Sequence, residues 1–237
     1  MSKVYIKIYR VAFLIALTCS LSIGYTVEAG VIDFKIKSIA FEKATMREAL
    51  AVLRDYGIQV CLERVPLHNG EEETRISGQL SNVRVKDILE YLIHADPRYT
   101  YEIAECNIIN IYPKNSKNNP EDLLNIKISE FEIRQYDLYN AITHIAQIAP
   151  ELRAYLQKML KPGGVPGSNI RGEMDSLRPK FSLKLTNLTV RDILNKIAEQ
   201  SSLINSGNRD FPPIGWIYEF VIDESSPLGG YPTWRIF

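Results

Sequence analysis

The sequence is poor in cysteine and histidine, and neither sign of charge is in surplus. Three cysteines in 237 residues exclude a disulfide-dense scaffold. Basic and acidic residues number 28 each, so no basic excess exists to hold a nucleic-acid backbone by charge, and no nucleic-acid partner is expected. The catalytic motifs His-Glu-x-x-His, Gly-x-Ser-x-Gly, the Walker loop and Gly-x-Gly-x-x-Gly are all missing. The three histidines, His68, His94 and His144, share no ligand spacing. Glu71, Glu72 and Glu73 read as a solvated acidic loop. Glu173 and Asp175 sit among glycines and prolines with no apolar pocket to tune them as acid and base. Gly164-Val165-Pro166-Gly167 matches a Gly-x-x-Gly RNA clamp in outline, but no basic residue stands inside it and Pro166 stiffens it. The chain therefore reads as non-enzymatic, with no metal or cofactor expected. Its 46% hydrophobic content excludes disorder.

The one long apolar stretch stands at the start. Lys3, Lys7 and Arg10 precede a mostly apolar run over residues 11–25, and Val27-Glu28-Ala29 places compact side chains where a signal peptidase reads them. Thr18, Ser20 and Ser22 interrupt the run, which is short for a membrane anchor. Ala16-Leu17-Thr18 before Cys19 does not fit a lipoprotein signal. The reading is a Sec-type signal over residues 1–29, cleaved after Ala29, with a periplasmic product that has no remaining membrane span. Cleavage removes three basic residues and Glu28, leaving a net charge of about −2. It also leaves two cysteines, Cys61 and Cys106. In an exported protein these are a candidate disulfide or two separate thiols.

The rest of the chain repeats itself. Residues 76–90, ISGQLSNVRVKDILE, match residues 181–195, FSLKLTNLTVRDILN, at seven of fifteen positions. Each segment predicts a strand followed by a helix. Val85, Ile88, Leu89, Leu92 and Ile93 form one apolar stripe, and Val190, Ile193, Leu194, Ile197 and Ala198 form another. Upstream, Met46, Ala49, Leu50 and Leu53 follow a strand over residues 33–41, with Thr45 and Glu48 as a capping box. Leu138, Ala141, Ile142, Ile145 and Ala146 follow a strand over residues 124–133, with Asp137 as the cap. Hairpins close both copies, over residues 100–112 and 216–237. The expected organisation is α+β, as two tandem small α/β sandwich modules with two helices packed on short sheets. The first module spans 30–113, a polar linker 114–122, and a divergent second module 123–237. Insertions over residues 67–74 and 161–178 fall at matched places.

Aromatic residues gather in the closing hairpins. Tyr91, Tyr99, Tyr101 and Tyr112 lie in the first copy, and Phe211, Trp216, Tyr218, Tyr231 and Trp234 in the second. Cross-strand packing explains such clusters. The second cluster is also a candidate partner-binding aromatic surface.

The segments FEKATMREALAVLRDYGIQVCLE, RISGQLSNVRVKDILEYLI and YTYEIAECNIINIYP resemble the short N-terminal (STN) domain shared by secretins and TonB-dependent transducers. Leu80, Asn82, Val83, Val85, Ile88 and Leu89 carry the pattern, and Leu185, Asn187, Leu188, Val190, Ile193 and Leu194 carry it again. The resemblance implies a non-catalytic periplasmic module that docks onto an envelope protein: a secretin, a TonB-type receptor or a membrane regulator. The alternative is a periplasmic module binding glycan, peptidoglycan or a small ligand through its aromatic hairpin.

Overall fold

The computed structural model describes residues 30–68, 70–143, 145–159, 180–205, 213–222 and 230–236. The expected signal and its cleavage point after Ala29, the loop over residues 161–178 and Phe211 lie outside the described residues. The fold is α+β. In chain order its elements are β1 (Lys35–Ala44), α1 (Met46–Asp55), β2 (Val60–Glu63), β3 (Ile76–Arg84), α2 (Val85–Ala95), β4 (Tyr99–Ile103) and β5 (Ile109–Pro113). They continue with β6 (Lys127–Tyr136), α3 (Leu138–Thr143), α4 (Ile145–Ile148), α5 (Pro150–Met159), β7 (Phe181–Thr189), α6 (Val190–Asn205), β8 (Trp216–Ile222) and β9 (Gly230–Ile236). No helix among the described residues is long and apolar enough to cross a membrane.

The repeat seen in the sequence recurs in backbone detail. β1 pairs antiparallel with β3, and β6 with β7, each as a two-stranded ribbon. Both ribbons break register near the end of their first strand, between Phe41 and Ala44 and between Ile133 and Tyr136. At these bulges Lys43 and Gln135 adopt left-handed φ values of 46° and 55°. Their N–H groups leave the ladder and donate to Ser77 Oγ at 2.9 Å and Ser182 Oγ at 3.1 Å. Those two serines are among the identical positions of the repeat. Asn82 and Asn187, another identical pair, sit at φ 53° and 54°, a region asparagine tolerates better than most side chains.

The helices start where their sequence signals place them. Thr45 Oγ1 accepts from the Glu48 N–H, and Glu48 Oε2 accepts from the Thr45 N–H, closing the capping box of α1. Asp137 Oδ1 accepts from the Asn140 N–H at 2.9 Å and caps α3. The stripe of α1 is buried at Met46, Ala49, Leu50 and Leu53, and that of α2 at Val85, Ile88, Leu89 and Leu92. Helix α1 touches both β1 and β2, and α2 touches both β3 and β4, so the two helices fill the space between ribbon and sheet. The second copy departs here. The expected helix occupies residues 138–143 and 145–148, and a further helix, α5, begins at Pro150. Proline offers no N–H to the preceding turn and disfavours helical geometry at Ala149, so the helix restarts there.

The two copies do not keep separate sheets. One five-stranded sheet runs in the order β4-β5-β2-β8-β9. Strand β2 of the first copy pairs in parallel with β5 on one side and with β8 of the second copy on the other. All four β2 residues are buried. Two cores meet across this sheet. One gathers the second copy's helices and ribbon together with Cys61 and Ile108. The other gathers the first copy's elements together with Ile217. The described residues from Val31 onward accordingly form one compact unit. The segment expected as a linker is a chain of hydrogen-bonded turns. Asn119 N–H donates to Ser116 O, Asp122 N–H to Asn119 O, and Asn125 Nδ2 holds the carbonyls of Ser116 and Asn119 at 2.6 and 2.8 Å.

The approach of β8 to β2 needs a glycine. A Cβ built on Gly215 would stand 1.8 Å from the Val60 carbonyl oxygen, a backbone atom that cannot swing aside. Gly215→Ala is expected to destabilise the fold by about 1–3 kcal/mol or more. A urea titration followed by far-UV circular dichroism checks this; an unchanged midpoint would mean that β8 does not sit this close to β2.

Candidate functional site

Strand β2 carries one charge into the interior. Alternation along the strand turns Val60 and Leu62 to one core and Cys61 and Glu63 to the other. Glu63 meets α6, which presents Arg191 one residue after its first apolar anchor, Val190. Arg191 Nη1 donates to Glu63 Oε2 at 2.7 Å, and both side chains are only 4% exposed. Ser116, from the connecting turns, donates its Oγ–H to the same oxygen at 3.0 Å. The guanidinium lies 5.2 Å from the centre of the Tyr112 ring on β5. First copy, connection and second copy thus each contribute a side chain to one buried polar cluster. Beside it, Gln59 Nε2 donates to the carbonyls of Ala198 and Ile214 at 3.0 and 2.8 Å, and Trp216 Nε1 donates to Asn195 Oδ1 at 3.0 Å.

Burial pushes the Glu63 carboxyl up to about 7, outweighing the pull of Arg191, and the nearby Asp122 carboxyl adds to the rise. An acid poised near neutrality is a recurrent feature of catalytic sites. Here both side chains of the ion pair are 4% exposed, and the contacts with Ser116 and Arg191 tie β2 to the connecting turns and to α6. Among the described residues no group of three His, Cys, Asp or Glu side chains is placed to hold a metal ion.

The predicted site residues fall into different places. Trp216 is fully buried and Tyr218 nearly so, and Tyr218 stacks on Trp234 with ring centres 6.5 Å apart. These rings are core, because the face of β8 that carries them packs under α6 and the neighbouring helices. The expected aromatic surface is therefore corrected at Trp216 and Tyr218. Trp234 is half-buried, and Tyr231 stands 48% exposed. Cys61 is a free, buried thiol, pushed up to about 12 by its burial. The side chain of Cys106, the other half of the candidate bridge, lies outside the described residues. Glu63, Ser116 and Arg191 were not singled out from the sequence. The available signal was a carboxylate closing an otherwise apolar strand.

The surface offers an open sheet edge. β4 pairs only with β5 among the described residues. Ala104 N–H donates to Ile108 O and Lys114 N–H to Arg98 O, which fixes the phase of the ladder. Alternation then directs the N–H groups of Thr100 and Glu102 toward β5, and those of Tyr101 and Ile103 away from it. Ile103 itself is 39% exposed. The chain matches no protein-family model, no curated protein and no solved structure.

The cluster gives a pH signature. A carboxyl whose folded value is raised favours the protonated form in the fold. Its contribution is fully present below the ordinary value of 4.5 and is lost as pH rises through about 7. Arg191→Met should cost about 3–5 kcal/mol at pH 8, where it strands a buried carboxylate, and clearly less at pH 5. Glu63→Gln should flatten the loss of stability between those pH values. Urea midpoints at the two pH values check both variants; equal costs of Arg191→Met at pH 5 and pH 8 would contradict the raised Glu63.

Proposed function

We propose that this chain is a non-catalytic interaction module of the periplasm, docking on an envelope protein by adding a strand to β4. The observation that carries the reading is the outer edge of β4. It has outward N–H groups at Tyr101 and Ile103, no proline within the strand, and a partly exposed isoleucine at its end. An unpaired edge of this kind is a template for an extended segment of another chain. Rigid support is what such a site needs, and β4 rests on β5, whose other neighbour is the buried β2. The sequence resemblance supplies the class of partner: a secretin, a TonB-type receptor or a membrane regulator. Its periplasmic setting rests on the signal-like first 29 residues.

Ile103→Pro removes an outward N–H and leaves the β4–β5 ladder its inward ones. In-cell crosslinking of the tagged chain, with mass spectrometry of what is captured, is expected to enrich one envelope protein. That enrichment should fall at least about tenfold in Ile103→Pro. Undiminished capture by a variant whose circular dichroism is unchanged would remove strand addition at β4. Recovery of cell-wall fragments in place of a protein would favour glycan binding.

A further inference from the structure

At the other end of the sheet, arginines from three separate segments converge. Arg47 and Arg54 project from α1, Arg64 follows β2, and Arg75 precedes β3. With Ala51, Glu48, Glu73 and Ile236 of β9 they line a groove of about 590 Å³. That size is within the range of ligand sites in proteins. The groove is composite, since Ile236 belongs to the second copy and reaches it only because the β8–β9 hairpin extends the sheet past β2.

The arginines differ in how firmly they are held. Arg64 is largely buried and ion-paired to both Glu73 and Glu219. Arg75 is 59% exposed, and its Nη1 lies 3.3 Å from the Lys43 carbonyl and 3.7 Å from Glu48 Oε2. Glu48 already closes the capping box of α1, so its oxygen is shared. Arg47 is exposed and makes no hydrogen bond or ion pair among the described residues. One carboxylate from an exposed loop already sits in the groove. Glu73 ends the acidic run Glu71-Glu72-Glu73, in the inserted segment of the first copy, and it reaches Arg64. The groove thus already holds one guanidinium–carboxylate contact, made by an internal occupant.

We propose that this groove binds an acidic peptide segment, with Arg47 and Arg75 taking carboxylates of the incoming chain while Glu73 competes for Arg64. Guanidinium forks match carboxylates in two-point contacts. The carboxylates of Glu48 and Glu73 are interleaved with the arginines. They repel the dense charge of a phosphate dianion more than single carboxylates spaced along a peptide. Ala51 and Ile236 supply an apolar wall for the aliphatic parts of such a segment. This site is separate from the β4 edge, and the proposal does not depend on strand addition there.

The test is fluorescence anisotropy of a fluorescein-labelled hexaglutamate peptide titrated with the purified chain. Saturable binding that weakens with added salt is expected, with no binding of the corresponding hexalysine peptide. The double variant Arg47→Glu, Arg75→Glu should weaken binding at least about tenfold, and Glu73→Gln should tighten it about threefold or more. Both reversed arginines are surface side chains, and an unchanged urea midpoint verifies that the fold is intact. No saturable binding, or equal binding by the double variant, would overturn the proposal. Displacement of the peptide by inorganic phosphate at lower concentration than by acetate would also overturn it, reassigning the groove to phosphate. Ile103→Pro should leave the peptide affinity unchanged, so this result and that for β4 can fail independently.

Discussion

Four residues, Val60 to Glu63, hold the molecule together. Strand β2 is buried at every position and paired on both sides, with β5 from its own copy and β8 from the other. Both pairings are parallel, an arrangement found where both faces of a sheet are covered. That requirement is met by placing one hydrophobic core on each face. Everything exposed at the ends of the sheet depends on this centre. The β4 edge is presented at one end, and the hairpin that completes the arginine groove is carried at the other.

Glu63 makes the shared strand selective as well as stable. A buried ion pair is a poor source of net stability, because desolvation offsets much of the attraction. It is effective at penalising wrong arrangements, since any packing of α6 that moves Arg191 away leaves two buried charges unmatched. Ser116 extends the same logic to the connection between the copies, whose turns must close before its hydroxyl reaches Glu63 Oε2. A duplicated sequence risks pairing equivalent strands with the wrong partner. A charge contact made of non-equivalent residues breaks that symmetry.

Much of the local architecture was legible in the sequence, and the assembly was not. Apolar stripes, the Thr45–Glu48 capping box and the Asp137 cap are local signals, and each was found where the periodicity placed it. The bulges at Lys43 and Gln135 were invisible, because neither residue type announces a left-handed backbone. The apolar stripe of the second copy ends at Ala146 and carries no sign of the helix that starts at Pro150. The sharing of β2 could not be read at all. An alternating hairpin has the same pattern whichever strand it pairs with, and register across copies is a property of tertiary packing. The same blindness left Trp216 and Tyr218 as candidates for a surface as well as for cross-strand packing. Aromatic clustering reports that rings pack together, and only the three-dimensional arrangement tells which face is covered.

A strand shared by both copies makes them one cooperative folding unit. Both tryptophans, Trp216 and Trp234, lie in the second copy, so fluorescence reports that half alone. Amide hydrogen exchange in α1 and α2, across a urea series, reports the first. If β2 is shared, loss of the tryptophan signal and loss of amide protection in α1 and α2 will follow one transition with a single midpoint. Protection in α1 and α2 that persists well beyond the fluorescence transition would show two independent folding units and contradict the account.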